Sequence, residues 1–286
     1  PDTANAMTVV AEQVTTLPLV VTCTRIQGFL TTKDTGHGNP WIHVTFADGS
    51  TARALAAGIT PAWSPSGDYA VFAASPCQRP EDDWLTGICH RTMGIHLFGI
   101  GGPLVPLTAH REDRFPAWNP RDGRIAFLRG RNHLYSIVPG EPERLITALP
   151  VDSASHLSWS PDGRTLAFGC AIDRGGPDPD WTICFVTADG SGFRHLTPVP
   201  GKEDGHPAWH PDGSRLAVST TRFGAASIAV MPVEGGGPTW VAEGRYPTWL
   251  PDGRLALVGA QAPGEVFVTS PGGGVPLRIG GEGHLG

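Results

Sequence analysis

One tryptophan-containing motif occurs five times along the chain, and this repeat constrains the fold more than any other feature. The copies start 40 to 55 residues apart. Self-similarity at such a spacing is typical of proteins built from repeated supersecondary units, each of which buries its apolar face against its neighbours. The five copies are PAWSPSG at 61–67, PAWNPRDG at 116–123, LSWSPDG at 157–163, PAWHPDG at 207–213 and PTWLPDG at 247–253.

Each motif is followed by further strand-like segments separated by turns. An alternating apolar segment comes directly after the Pro-Asp-Gly turn, as in RLAVST at 215–220, and a third segment follows, as in SIAVMPV at 227–233. A glycine-containing turn then leads to a short fourth segment, such as 194–197. Four strands per repeat is the pattern of a β-propeller blade. The 38 glycines and 28 prolines suit such a turn-dense all-β chain.

The motif does not account for the first part of the chain. Residues 17–58 contain three strand-like segments, at 19–26, 41–47 and 51–56, without the motif. We expect them to form a sixth blade, closed by a terminal segment. The prediction is therefore an all-β, six-bladed β-propeller of four-stranded antiparallel blades that spans 17–286 as a single domain and follows an N-terminal extension at 1–16.

The motif P-A-W-S-P-D-G, followed by two strands, an Asp-Gly turn and Leu-Thr at 107–108 and 196–197, resembles the TolB-like six-bladed β-propeller family. The resemblance covers roughly residues 41–280. It implies the propeller fold and leaves the function open, because related blades occur in periplasmic scaffolds, in domains appended to peptidases and in some polysaccharide lyases.

Charge and hydropathy exclude two classes of function. The formal net charge is −6 and no basic run exists, whereas a nucleic-acid footprint needs clustered positive charge. No window approaches 18 uninterrupted apolar residues, so no membrane span is predicted. We expect a monomeric propeller.

Four of the five cysteines fall into two short-range pairs. We predict the disulfides Cys77–Cys89 and Cys170–Cys184, with Cys23 left as a buried thiol. Disulfides form in oxidising compartments, so the prediction is a periplasmic or secreted protein, which an anchoring segment outside this sequence could hold at a membrane. The alternative is five reduced thiols.

The motif residues themselves have a structural interpretation. A role repeated in every blade implies an environment repeated in every blade, so the five motif tryptophans are expected to pack between adjacent sheets. They are Trp63, Trp118, Trp159, Trp209 and Trp249. The aspartates at 122, 162, 212 and 252 are expected to cap tight turns rather than to act as paired catalytic carboxylates.

Two long loops carry the first candidate site. In each, acids precede a tryptophan between two cysteines. One hypothesis is a pair of stapled loops that form a recognition rim for a protein or peptide partner. The alternative is that the tryptophans fold back to cover long hairpins; calcium is a further candidate ligand, although neither loop has a calcium-loop spacing. The residues are Glu81, Asp82, Asp83 and Trp84 in one loop, and Asp178, Asp180 and Trp181 in the other.

The second candidate site is the mouth of the central channel. The residues directly before the motifs are Thr60, Phe115, His156, His206 and Tyr246. Blade symmetry places them around the axis, and His284 joins them if the C-terminus runs towards the first blade. The imidazoles of His156, His206 and His284 either bind a divalent metal or only hydrogen-bond neighbouring carbonyls. Apart from that metal, no cofactor is expected.

The leading functional hypothesis is a non-catalytic, extracytoplasmic binding module that recognises a protein or peptide on the face with the long loops. The alternative is a propeller enzyme, a saccharide lyase or lactone hydrolase, with the histidines at its centre. A purely structural or sensor domain is the third. Motifs of serine hydrolases, zinc proteases and P-loop proteins do not occur in the sequence.

Overall fold

The protein is described by a computed structural model that covers residues 15–21, 24–34, 40–46, 51–74, 94–99, 104–173, 179–196, 199–224, 226–250, 252–260 and 265–279. It is an all-β propeller of four-stranded antiparallel blades. The strands are β1 (Thr15–Val21), β2 (Thr24–Asp34), β3 (Pro40–Phe46), β4 (Thr51–Trp63), β5 (Tyr69–Ala74), β6 (Gly94–Gly99), β7 (Leu104–Pro106), β8 (Asp113–Trp118), β9 (Ile125–Arg129), β10 (His133–Ile137), β11 (Arg144–Ala148), β12 (Ser153–Trp159), β13 (Thr165–Ile172), β14 (Asp180–Thr187), β15 (Arg194–His195), β16 (Asp204–Trp209), β17 (Arg215–Thr220), β18 (Ser227–Pro232), β19 (Thr239–Glu243), β20 (Arg245–Trp249), β21 (Leu255–Val258), β22 (Val266–Thr269) and β23 (Leu277–Arg278).

The described residues form five blades, so the prediction of six was wrong. The first blade comprises the second half of β4 with β5–β7, and the others are β8–β11, β12–β15, β16–β19 and β20–β23. Strands β1–β3 do not form a separate sheet. β3 pairs with the first half of β4, and β5 pairs with the second half, from Gly58 onwards. Because β4 runs through both pairings without a break, the N-terminal strands extend the first blade into a seven-stranded sheet.

The predicted segment at 19–26 also differs in the structure. It contains the end of β1 and the start of β2, which pair with each other as an antiparallel hairpin. An apolar run alone does not show where a chain reverses direction. Cys23 lies outside the described residues.

Each motif forms the turn between the first and second strands of its blade. In the third blade Gly163 has φ 71° and donates its N–H to the carbonyl of Ser160 at 2.9 Å. Asp162 accepts a hydrogen bond from the backbone N–H of Arg164 at 3.0 Å. Asp122, Asp212 and Asp252 accept the equivalent bond. The aspartates therefore cap these turns, as predicted. The hydroxyl of Ser160 and the Arg164 N–H hold the pKa of Asp162 below its usual value.

The core lies between consecutive blades. Successive residues of a strand face opposite sides of its sheet, and in a propeller both sides are covered. In β13, Leu166 and Phe168 therefore face the second blade, and Ala167 faces the fourth. Clusters of this kind join the first blade to the second, the second to the third, the third to the fourth and the fourth to the fifth.

The motif tryptophans connect neighbouring blades. The indole Nε1–H of Trp159 donates to the carbonyl of Ala117 at 3.2 Å, that of Trp209 to Ser158 at 3.1 Å, and that of Trp249 to Ala208 at 3.1 Å. Each acceptor lies in the preceding blade, next to its own motif tryptophan. Trp63, Trp159 and Trp249 are buried, with 2%, 7% and 4% of their surface exposed, while Trp118 and Trp209 are half-buried. The interpretation of the motif tryptophans as inter-blade packing residues agrees with these contacts.

A disulfide joins Cys170 to Cys184. The prediction of this pair is confirmed, but its position differs from that of a clip at the base of a loop. Cys170 lies in β13 and Cys184 in β14, and both are fully buried in the cluster between the second and third blades. Cys77 and Cys89 lie outside the described residues, so their pairing stays a prediction. Across the described part of the chain, no helix has the length and hydropathy needed to span a membrane.

Candidate functional site

Five residues with a left-handed backbone mark the start of the innermost strands. They are Thr60, Phe115, His156, His206 and Tyr246, with φ between 51° and 56°. This region is uncommon for residues other than glycine, although asparagine, aspartate and histidine are enriched in it. The pairing register shifts at each of these positions, for example between Ser155 and Ser158, which is the mark of a β-bulge. A bulge at the same point of every blade changes the direction of one side chain per blade.

Four of these side chains form a continuous row of rings. The ring centroids are 4.4 Å apart for Phe115 and His156, 3.9 Å for His156 and His206, and 4.5 Å for His206 and Tyr246. The structure therefore brings His156 and His206 together, from adjacent blades. Each imidazole lies between two other rings, an arrangement in which aromatic packing supplies the contacts.

Among the described residues, the ring row brings together two of the three predicted metal ligands. A structural or catalytic divalent site uses three or four protein ligands. The structure brings together two imidazoles here, and the residues it describes contain no group of three His, Cys, Asp or Glu side chains that could hold an ion. His284 lies outside the described residues.

A cavity of about 290 Å³ opens beside the ring row, between the third and fourth blades. We call it the interblade cavity. It lies on the loop face of the propeller, where the second strand of a blade connects to the third and where one blade connects to the next. Both histidines border it, together with Trp181, Glu203, Thr221 and Arg245.

A buried ion pair fixes one wall of this cavity. Asp204 is 2% exposed and accepts hydrogen bonds from the Thr220 hydroxyl at 2.7 Å and from Arg222 Nε at 3.0 Å. Breaking such a pair leaves an uncompensated buried charge, which is strongly destabilising. Asp113 occupies the equivalent place in the second blade and pairs with Arg129 at 2.7 Å. Asp204 is therefore a positioning residue for the cavity rather than an available base.

Trp181 and Glu203 join the two blades across the cavity. They form an isolated parallel bridge between β14 and the segment that leads into β16. Thr221 ties that segment to the fourth blade, because its hydroxyl accepts the Glu203 N–H at 2.8 Å and its own N–H donates to the Glu203 carbonyl at 2.9 Å. The backbone around Trp181 and Glu203 is thus held on both sides.

The cavity carries two opposite charges that are open to a ligand. The side chains of Glu203 and Arg245 are exposed, and within the described ranges neither takes part in an ion pair or a side-chain hydrogen bond. Trp181 is half-buried and adds apolar surface to the lining of the same cavity. The cavity can therefore contact an aromatic or aliphatic group, a cationic group and an anionic group of the same ligand.

The structure places only part of the predicted loop site. Asp180 and Trp181 are not loop residues: they begin β14 and pair with Ile172 and Ala171 of β13. The strand pair extends beyond the cysteines, and side chains of β13 and β14 pack against both neighbouring blades. Asp178 of this loop, and Glu81, Asp82, Asp83 and Trp84 of the other, lie outside the described residues.

The sequence analysis missed Glu203, Thr221 and Arg245. None belongs to the motif, and none lies in a long loop. Arg245 directly precedes Tyr246, and Glu203 lies three residues before His206. The available signal was a charged residue just upstream of a motif, on the connection that enters an innermost strand.

The fold is shared with several solved structures. TolB from Acinetobacter baumannii matches with a TM-score of 0.63 and 15% identity over 99% of this chain and 65% of that one. A putative TolB from Agrobacterium tumefaciens matches with a TM-score of 0.59 and 17% identity, over 77% of this chain and 79% of that one. An oligogalacturonate lyase in complex with manganese matches with a TM-score of 0.50 and 14% identity, over 92% of this chain and 98% of that one. No family model and no curated protein matches the sequence. At these identities the likeness concerns the fold alone, a β-propeller.

Proposed function

We propose that the chain is a non-catalytic, extracytoplasmic binding module that holds a segment of a protein or peptide in the interblade cavity. The observation that carries this proposal is the combination, in one cavity on the loop face, of a tryptophan with a carboxylate and a guanidinium that have no ion-pair partner among the described residues. Tryptophan and arginine are enriched among residues that dominate binding energy at protein interfaces. Loops on a rigid scaffold are a common place for such sites.

The chemistry of the cavity favours a peptide. Glu203 complements a lysine, an arginine or an amino terminus, and Arg245 complements a carboxylate as a planar, bidentate donor. Trp181 offers apolar surface to a side chain between them. About 290 Å³ is enough for one or two side chains, so the segment is short and its flanks extend over the loop face.

Localisation outside the cytoplasm rests on the disulfide. A fully buried Cys170–Cys184 bond within a blade is a structural disulfide, and such bonds are rare in reducing compartments. The fold likeness to TolB proteins points the same way. Thiol titration of the denatured, unreduced protein is expected to find one free thiol if Cys77 and Cys89 are also joined. Five free thiols would remove this support.

Selection from a random peptide library displayed on phage tests the binding proposal. We expect enriched peptides whose affinity, measured by calorimetry, falls at least about tenfold in Trp181→Ala and in Glu203→Gln. The control is Trp240→Ala, because Trp240 is a solvent-accessible tryptophan on β19, outside the cavity. Affinity in this control should change less than about twofold. Absence of enrichment, or equal losses in the two tryptophan variants, would contradict the proposal.

The alternative function, an enzyme acting on a saccharide or lactone, has one observation in its favour: His156 and His206 border the same cavity. The metal that this alternative uses needs a third ligand, which the described residues do not offer. Calorimetric titration with Zn²⁺, Mn²⁺ and Ca²⁺, repeated on a His156→Ala, His206→Ala variant, separates the two functions. Binding that disappears in the variant would favour the enzyme.

A further inference from the structure

Gly205 differs from the residues at its position in the other blades. It directly precedes His206, so it lies just before the left-handed residue of the fourth blade. In the other four blades this position carries a side chain, and the residues are Ile59, Arg114, Ser155 and Arg245. Gly205 lines the interblade cavity, together with Ser155 and Arg245 from the blades on either side. The cavity therefore lacks one side chain that blade symmetry would place there.

Neither the backbone nor the packing around Gly205 requires a glycine. Its φ lies outside the left-handed region, and among the described residues a methyl group on its Cα would meet no heavy atom within 4 Å apart from its chain neighbours. Gly169 of the third blade is different, because a Cβ there would lie 2.9 Å from the Ser155 hydroxyl oxygen. The missing side chain of Gly205 thus leaves open space in the cavity.

The groups around this space favour an aromatic ring. His156 and His206 border the cavity, and Trp181 adds a third aromatic side chain. Aromatic pairs attract each other beyond the effect of the area they bury. The guanidinium of Arg245 is planar and can stack on the face of a ring. Apolar cavities of about 150 Å³ bind benzene, so about 290 Å³ has room for a ring and its attachment.

A saccharide fits this space less well. Its hydroxyl groups lose their water on binding, so the site must supply hydrogen bonds in return. Two hydroxyls at the cavity are already used within the protein. That of Thr220 donates to Asp204 at 2.7 Å, and that of Thr221 accepts the Glu203 N–H at 2.8 Å. An aromatic ring needs no such partners.

We propose that the interblade cavity recognises an aromatic side chain of the bound segment, whose ring occupies the space that Gly205 leaves open. The inference rests on the proposed binding function and names the group that the cavity selects. Gly205 is then a specificity-determining residue, because a side chain at this position would take the place of the ring.

N-acetyl-phenylalanine amide is a suitable probe, with N-acetyl-leucine amide as its aliphatic counterpart and methyl β-glucopyranoside as a saccharide. In ¹H–¹⁵N NMR of the full chain, we expect the phenylalanine amide to shift the indole signal of Trp181, which a Trp181→Phe variant assigns. The leucine amide should bind at least about threefold more weakly, because it lacks the ring contacts. Equal or tighter binding of the leucine amide or the glucoside, or no shift at about 10 mM phenylalanine amide, would overturn the proposal.

Variants of Gly205 test the position of the ring. Gly205→Ala should weaken binding of the phenylalanine amide about threefold and Gly205→Val at least about tenfold, because the added methyl groups fill the space. The matched control is Gly237→Val. Gly237 also has a φ outside the left-handed region and, among the described residues, open space around its Cα, but it does not line the cavity.

Binding in Gly237→Val should stay within about twofold of wild type. Equal losses in the two valine variants would overturn the proposal. If Gly205→Val does not fold, Gly205→Ala decides in its place.

Peptide selection separates this inference from the proposed function. Enriched peptides that need Trp181 and Glu203 but bind Gly205→Val unchanged would keep the binding function and overturn the aromatic site. Binding of the phenylalanine amide that is lost in Gly205→Val, without any enriched peptide, would support the aromatic site and contradict a peptide ligand.

Discussion

His206 has a left-handed backbone, and so do the four residues at its position in the other blades. Such a conformation costs a residue with a Cβ on the order of 1 kcal/mol or more. At His206 the ring contacts with His156 and Tyr246 offset this cost. Thr60 has the same backbone without a ring to place in the row, and its buried hydroxyl has no hydrogen-bond acceptor or donor among the described residues.

Thr60→Gly is therefore expected to raise the free energy of unfolding by about 1 kcal/mol, because glycine adopts this backbone without strain. His206→Gly relieves the same strain but removes two ring contacts, and should lower the free energy of unfolding by about 1 kcal/mol or more. Urea titration of both variants measures the difference. A loss of stability in Thr60→Gly would show that strain is not the governing factor at this position.

His96 is the residue expected to couple stability to pH. It is 2% exposed in β6, and burial lowers its pKa, while the hydrogen bond with the Gly94 carbonyl at 3.2 Å acts in the opposite direction. The unfolded chain then binds a proton at a higher pH than the folded one does. The free energy of unfolding should fall as pH drops below about 6.5, the pKa of an unperturbed histidine.

The measurement is urea unfolding of wild type and His96→Gln between pH 7.5 and 5. The wild type should lose more stability over this range, with a difference of at most about 1.4 kcal/mol per pH unit. His96→Gln keeps all the other histidines, so the difference between the two proteins removes their contribution to the pH dependence. If the free energy of unfolding changed with pH equally in the two proteins, His96 would have the same pKa in the folded and the unfolded chain.

At the scale of elements, the third blade combines a disulfide with a long strand pair. Cys170 and Cys184 are separated by 14 residues, for which the chain-entropy estimate of stabilisation is about 3 kcal/mol. The Cys170→Ala, Cys184→Ala variant is expected to lose about this amount in urea unfolding. Wild type unfolded in a reductant should approach the variant. A loss below about 1 kcal/mol would mean that β13 and β14 hold the blade without the bond.

The sequence predicted the blades well because the motif encodes each element boundary. Pro and Gly fix the turn, and the alternation after it shows a strand covered on both faces. It failed at residues 17–58, since strand-like patterns there do not tell whether a strand starts a new sheet or continues an old one through β4. It also missed Glu203 and Arg245, because the packing of adjacent blades, and not local spacing, brings both residues to one cavity.

At the scale of the whole molecule, the motif tryptophans determine how firmly neighbouring blades are joined. Trp159 is 7% exposed and bonds to the second blade through Ala117. Trp159→Ala should lower the free energy of unfolding by about 3 to 5 kcal/mol, the usual cost of removing a buried aromatic side chain. Trp240→Ala, at a 44% exposed position on an outer strand, should cost less than about 1 kcal/mol. Comparable losses in denaturant titration would contradict the packing role.

The apolar clusters between consecutive blades make each blade depend on its neighbours, so local opening should spread along the chain from blade to blade. The third blade is covered on both sides and carries the buried disulfide. Its backbone amides should therefore exchange with deuterium only through opening of the whole propeller, while those of the short outer strands exchange by local fluctuation. The interblade cavity has one edge on this most protected blade, which gives a bound segment a wall that stays in place.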